Sequence, residues 1–119
     1  KPHAQVIIIS DTFSQFAGPL MEKLGWPTIF CNELAVAGDG AIEGYRMRCP
    51  ETKLTTVNAL HEAGLDTIAS GDSYNDVGMI LNSKAGFFFR TTDALKAEYP
   101  DVPAFEGYDE LFDAIMAAL

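Results

Sequence analysis

Residues 67–76 decide the fold, and they read Thr67-Ile68-Ala69-Ser70-Gly71-Asp72-Ser73-Tyr74-Asn75-Asp76. The apolar run at 67–70 is typical of a buried strand, and the polar residues after it predict a turn into a helix. Gly71 is expected to relieve crowding at the strand exit, with Asp72 pointing from the loop into the site and Asp76, about one helical turn further on, lying near it. Two carboxylates at this spacing suit Mg²⁺ and make phosphate chemistry the leading hypothesis. The alternative is a loop that only turns the chain and caps a helix.

Strands and helices alternate along the rest of the chain. The β-branched run at 5–10 predicts a strand that is covered on both faces and lies at or near the centre of a parallel sheet. The other predicted elements are a helix at 13–24, strands at 28–36 and 42–48 joined by a hairpin turn at 37–41, a helix at 52–63, a strand at 66–70, a helix at 76–81, a strand at 86–89, a helix at 93–99, a short strand around Phe105 and a helix capped by Asp109. This order predicts an α/β fold with a Rossmann-like, three-layer, open and mostly parallel sheet, formed by one domain over residues 1–119.

Charge and cysteine usage restrict the partners and the compartment. The 119 residues contain 8 Lys plus Arg against 17 Asp plus Glu, and the net charge of -9 opposes binding to nucleic acid or to an anionic membrane. Cys31 and Cys49 are expected to be reduced thiols of a cytoplasmic protein, with a disulfide between them as the lesser alternative. Together with His3 and His61 they do not form a zinc-binding pattern.

Polar residues follow the predicted strands at the edge where such sheets bind ligands. Ser10-Asp11-Thr12 comes after the first strand, Asp72 and Asp76 follow the strand at 66–70, and Lys53 opens the helix between them. We expect Ser10 to hydrogen-bond a phosphoryl oxygen and Lys53 to neutralise its charge. Taken singly, each has a simpler interpretation: residues 10–12 are a good helix N-cap, and Lys53 is a solvated surface lysine.

The order of these residues resembles the haloacid dehalogenase superfamily of phosphatases and phosphotransferases. Ser10 matches the second motif of that superfamily, Lys53 matches the third, and residues 71–76 match the fourth. Residues 6–13, 19–21, 24–28 and 30–31 further resemble its phosphoserine phosphatase/homoserine phosphotransferase branch. The resemblance implies that Asp72 is a direct Mg²⁺ ligand and that Asp76 supports the metal through hydrogen bonds or water. It also implies that Ser73 and Asn75 lie near the phosphate or the amino acid, and that Asp11 and Thr12 join Ser10 in binding it.

The first motif of the superfamily, Asp-x-Asp, is not found before Gln5. In the superfamily this motif ends the first strand and supplies the nucleophile. The resemblance therefore implies that this chain is the C-terminal part of a longer protein, and that the chain lacks the first strand and the helical cap of the superfamily. Without that strand, backbone groups of the neighbouring strands are exposed. We therefore expect association with an N-terminal complement or self-association, and no activity of the chain alone.

Two functional interpretations remain open from the sequence. The first is a Mg²⁺-dependent enzyme that removes the phosphoryl group from phosphoserine through an aspartyl-phosphate, with water or homoserine as the acceptor. The second is a non-catalytic module that keeps the metal and phosphate contacts for binding or assembly. The nucleophile distinguishes the two, and it is not among these residues.

Overall fold

A computed structural model describes residues 4–119 of the chain. His3, which was considered above as a zinc ligand, lies outside the described residues. The chain divides into two compact units, residues 4–52 and residues 53–119, which are described one at a time. The single domain over 1–119 stays a prediction.

The first unit is a three-stranded sheet with one helix. Its elements are β1 (Ile7–Phe13), α1 (Ser14–Lys23), β2 (Thr28–Val36) and β3 (Ile42–Arg46). β1 runs parallel to β2, and β2 runs antiparallel to β3, which confirms the predicted hairpin. At its turn, Gly40 adopts a φ of 88°, a conformation that glycine reaches without steric cost.

The position of β1 differs from the prediction. The sheet order is β1-β2-β3, so β1 is an edge strand and not a central one. Residues 7–9 are only partly buried, and Val6 just before them is 67% exposed. The β-branched run predicted cover on both faces, whereas among the described residues β1 pairs with β2 alone.

The helix after β1 also begins later than expected. β1 continues to Phe13 and α1 starts at Ser14, so Ser10-Asp11-Thr12 belongs to the strand and the N-cap interpretation of these residues is wrong. Ala17 and Met21 form the buried side of α1. Gly25, with a φ of 80°, follows the helix and turns the chain towards β2.

The second unit is an α/β layer built on three parallel strands, which lie side by side in the order β4 (Ile68–Gly71), β5 (Ala85–Phe89) and β6 (Ala104–Phe105). Its core contains Val57, Ile80, Phe88 and Leu95, each with at most 2% of its surface exposed. The last helix is preceded by Gly107, so Asp109 lies in its first turn and is not its N-cap as predicted. The elements are α2 (Thr52–Glu62), β4 (Ile68–Gly71), a 3-10 turn (Tyr74–Asp76), α3 (Val77–Leu81), β5 (Ala85–Phe89), α4 (Asp93–Glu98), β6 (Ala104–Phe105) and α5 (Tyr108–Ala118).

The parallel pairs β1-β2, β4-β5 and β5-β6, together with the helices that follow the strands, confirm the predicted α/β class. Within residues 4–119, no helix has both the length and the apolar character needed to span a membrane.

Candidate active site

The loop after β4 is folded around the carboxylate of Asp76. Asp76 Oδ2 accepts hydrogen bonds from the backbone N–H of Asp72 at 2.8 Å and of Ser73 at 3.1 Å, and from the Ser73 hydroxyl at 3.2 Å. Ser73 is the residue before the 3-10 turn, and its side chain and that of Asp76 form a capping box. The buried carboxylate therefore fixes the backbone that carries Asp72.

Gly71 makes this arrangement sterically feasible. A Cβ placed on Gly71 would lie within 3.0 Å of the Asp76 carboxyl group, closer than van der Waals contact allows. The prediction that Gly71 relieves crowding at the strand exit is confirmed, and the group it makes room for is the Asp76 side chain.

Lys53, in the first turn of α2, forms an ion pair with Asp76 Oδ1. The Lys53 side chain is 13% exposed and that of Asp76 is 5% exposed, so the interpretation of Lys53 as a solvated surface lysine is wrong. Burial by itself raises the pKa of Asp76. The hydrogen bonds from Lys53 and from the Asp72 and Ser73 backbone outweigh that effect, and the pKa lies below the usual value for an aspartate. Asp76 is therefore ionised at neutral pH despite its burial.

Asp72 presents its carboxylate to solvent at the carboxyl end of β4. Among residues 4–119 no hydrogen bond or ion pair engages that carboxylate, whereas the Asp72 main chain is held on two sides. Its N–H donates to Asp76, and its carbonyl accepts a 2.7 Å hydrogen bond from the Thr91 hydroxyl. A free carboxylate on a fixed backbone is well suited to bind a cation.

The other polar side chains of the loop interact near its surface. The Ser73 hydroxyl donates to Asn75 Oδ1, and the Tyr74 hydroxyl donates to Glu98 at 3.0 Å. Ser73 and Asn75 are thus close to each other and to the Asp72 backbone. Their contact with a phosphate or an amino acid stays a prediction.

Mg²⁺ in proteins is usually bound by one or two carboxylates, with waters and substrate phosphates completing the octahedron. Within the described part of the chain, no group of three or more His, Cys, Asp or Glu side chains is arranged to hold a metal ion. Asp72 fits the role of a direct ligand, because its oxygens are uncommitted. Both Asp76 oxygens already accept hydrogen bonds, which fits an indirect role in supporting the metal.

Ser10, Asp11 and Thr12 lie in the other unit, at the carboxyl end of β1. Ser10 Oγ accepts a 3.2 Å hydrogen bond from the Thr12 N–H, and the Asp11 carbonyl accepts one of 3.1 Å from the Asn32 side chain. The structure brings Lys53, Asp72 and Asp76 together within residues 53–119. The convergence of Ser10 with these three residues stays a prediction.

Thr91 and Asn32 are structural partners of the site that the sequence analysis missed. Thr91 follows β5 at the same strand end as Asp72, so the rule that sites form at carboxyl strand ends would have found it. Asn32 lies inside β2. Its only signal in the sequence is an amide side chain within an apolar strand, which indicates a buried hydrogen-bond partner.

No protein-family model matches the chain. It is 38% identical over 107 residues to the phosphoserine phosphatase ThrH of Pseudomonas aeruginosa, covering 90% of this chain and 52% of that protein. It is 39% identical over 107 residues to a phosphoserine phosphatase of Pseudomonas syringae pv. tomato, covering 90% of this chain and 45% of that protein. The chain is thus similar to these two phosphoserine phosphatases over most of its own length. It spans about half the length of the curated relatives that it matches.

A solved structure supports the α/β fold. The unliganded probable phosphoserine phosphatase of Vibrio cholerae superposes with a TM-score of 0.73 over 97% of this chain and 38% of that chain, at 23% identity. At that identity the superposition supports the fold alone.

Proposed function

We propose that the protein to which this chain belongs is a Mg²⁺-dependent phosphomonoester hydrolase of the cytoplasm, with phosphoserine as its substrate. The observation that carries the proposal is the free carboxylate of Asp72, held at the carboxyl end of β4 by the buried Lys53–Asp76 pair. The similarity to two phosphatases of Pseudomonas supports the choice of phosphoserine. The free thiols of Cys31 and Cys49 support a reducing compartment.

Each polar residue of the site has a role in this proposal. Asp72 ligates Mg²⁺, and Asp76 supports it by fixing the Asp72 backbone. When bound, the metal withdraws charge from the phosphoryl oxygens. Lys53 directs one ammonium proton to Asp76 and keeps others for a phosphoryl oxygen, because an ammonium has three donors. The remaining proposed substrate contacts come from Ser10, Asp11, Thr12, Ser73 and Asn75.

The nucleophile is proposed to come from outside residues 1–119. It would be an aspartate that takes up the phosphoryl group and then passes it to water or, as a second acceptor, to homoserine. Two edge strands support the proposal that another polypeptide segment pairs with this chain. Among the described strands, β1 pairs only with β2, and β4 pairs only with β5. Each leaves one row of backbone donors and acceptors for another strand, supplied by an N-terminal complement or by a second copy.

Replacing Asp72 with asparagine is expected to weaken Mg²⁺ binding at least about tenfold, because a neutral amide lacks the charge that a hard cation prefers. Titration of the 119-residue chain with Mn²⁺, followed by water-proton relaxation and by competition with Mg²⁺, measures this. Asp101→Asn is the matched control, since it removes one negative charge from a loop in the same unit. An equal loss of affinity in both variants would show that the net charge, and not a ligand at position 72, governs cation binding.

The chain alone is expected to show no sustained phosphoserine hydrolysis with Mg²⁺, because its residues include no nucleophile that fits the motif. Phosphate release is the measurement, made before and after the upstream polypeptide is added. Turnover by the chain alone that Asp72→Asn abolishes would contradict the proposed division of the active site.

A non-catalytic module is the second candidate. It is favoured by the absence of an Asp-x-Asp motif, which would supply the nucleophile, from residues 1–119. Retained binding of Mg²⁺ and phosphate without any turnover after reconstitution would establish it.

A further inference from the structure

β1 leaves the ladder with β2 at the residues proposed to bind phosphate. Ile9 pairs with Phe30 and Phe13 pairs with Asn32, so four residue steps along β1 match two along β2. Residues 10–12 must therefore arch away from β2 as an irregular bulge. Bulges of this kind re-aim side chains and are frequent next to active sites.

A bulge loses ladder hydrogen bonds, and its backbone groups need other partners. Two side chains supply them here. Ser10 Oγ accepts from the Thr12 N–H at 3.2 Å, and Asn32 Nδ2 donates to the Asp11 carbonyl at 3.1 Å.

Asn32 is 1% exposed, and both ends of its amide are used. While Nδ2 holds Asp11, Oδ1 accepts a 2.8 Å hydrogen bond from the Arg48 N–H just beyond β3. A buried amide of this kind is costly unless both its donor and its acceptor are satisfied. The side chain thereby ties the bulge of β1 to the chain that leaves β3.

We propose that Asn32 is a positioning residue that sets the backbone of residues 10–12, and through it the direction of the Ser10 hydroxyl, for phosphate binding. This inference rests on the proposed function, because it assumes that Ser10 meets a phosphoryl oxygen. It adds a residue that does not itself touch the ligand and acts through the Asp11 carbonyl.

The test uses the isotope-labelled 119-residue chain with Mg²⁺ present and compares Asn32→Ala with Gln15→Ala. Gln15 is the matched control because its amide also bridges two backbone groups of β2, the N–H of Leu34 at 3.0 Å and its carbonyl at 3.2 Å, while touching none of residues 10–12. Two quantities are measured by NMR: the backbone chemical shifts of residues 10–12, and the Kd for inorganic phosphate.

Asn32→Ala is expected to move the shifts of residues 10–12 and to raise the phosphate Kd about fivefold, the effect of losing one orienting hydrogen bond. Gln15→Ala is expected to leave both unchanged. If Asn32→Ala does not fold, Asn32→Leu serves instead, since it keeps most of the side-chain volume, adds no charge to the buried site and removes the donor to Asp11.

Unchanged shifts at residues 10–12, or an unchanged phosphate Kd in a folded Asn32 variant, would overturn the inference. So would failure of both Asn32 variants to fold while Gln15→Ala folds, because Asn32 would then be a structural residue only. Absence of phosphate binding by the unsubstituted chain would contradict the proposed function instead, and the backbone shifts would still decide whether Asn32 sets the bulge.

Discussion

Lys53→Met is expected to destabilise the chain by about 3–5 kcal/mol, the usual cost of removing one partner of a buried ion pair. The methionine keeps much of the lysine stem, so most of the loss comes from the Asp76 carboxylate, which stays buried without its cation. Urea denaturation in metal-free buffer measures the free energy of unfolding. In the full-length protein proposed above, phosphatase activity should fall as well, because the loop that carries Asp72 is built on Asp76.

The pH dependence of this loss follows from the pKa of Asp76. That pKa is lower in the folded chain than in the unfolded chain, so the pair contributes its stability above about pH 4 and loses it as the pH falls through the folded-state value. Because the unfolded-state titration of Asp76 is common to both proteins, the difference in stability between the wild type and Lys53→Met depends on the folded state alone. It should shrink as the pH falls from the pKa of Asp76 in the variant, which burial without Lys53 raises, to the lower pKa of Asp76 in the wild type.

Two further variants isolate the buried charge as the cause. Lys96→Met is the control for a surface pair, because Lys96 contacts Glu106 at 2.8 Å with 36% of its side chain exposed, and a far smaller loss is expected. Adding Asp76→Asn to Lys53→Met should restore part of the stability, since it removes the uncompensated charge. Equal losses in Lys53→Met and Lys96→Met would refute a special role for the Lys53–Asp76 pair.

Gly71→Ala is expected to have the second large effect. The new methyl group would overlap the Asp76 carboxyl group, and overpacking of this kind costs about 1–3 kcal/mol. To relieve it, Asp76 must withdraw and release the backbone N–H groups of Asp72 and Ser73. Since a displacement of about 1 Å in a catalytic group can cost about a hundredfold in rate, we expect a loss of that order in kcat/KM for the full-length protein.

Gly78→Ala is the matched control for this change. Its new Cβ would meet Leu54 at 3.5 Å, which is ordinary contact, and alanine is the better helix former within α3. Gly78→Ala should therefore leave Mg²⁺ affinity unchanged and stability equal or slightly raised. If Gly71→Ala is as harmless as Gly78→Ala by thermal melting and by Mg²⁺ titration, the close packing of Asp76 on Gly71 is not required.

The hexapeptide at 71–76 could be interpreted from sequence because its constraints are local. A strand that ends at a glycine, followed by two carboxylates about one helical turn apart, defines both a turn and an oxygen-rich site. The hairpin at 37–41 was predictable for the same reason. The local pattern does not show which group packs against Gly71, because that depends on the direction of the Asp76 side chain.

The environment of Lys53 was not predictable from its own neighbours. A lysine in the first turn of a helix is usually solvated, and only the partner 23 residues later makes it a buried ion pair. The bulge at residues 10–12 was not predicted from the sequence for a related reason. A Ser-Asp-Thr sequence before a helix is typical of an N-cap, and the register with β2 decides against it.

The pairing of Lys53 with Asp76 has an electrostatic consequence for the order in which ligands bind. Lys53, which forms an ion pair with the β4 loop, is already matched by an anion, and Asp72 adds a further negative charge to a chain whose net charge is -9. A phosphate dianion that arrives first meets a repulsive potential. Under the proposed function, a divalent ion bound at Asp72 would offset this charge, so we expect the affinity for the anion to rise with metal occupancy.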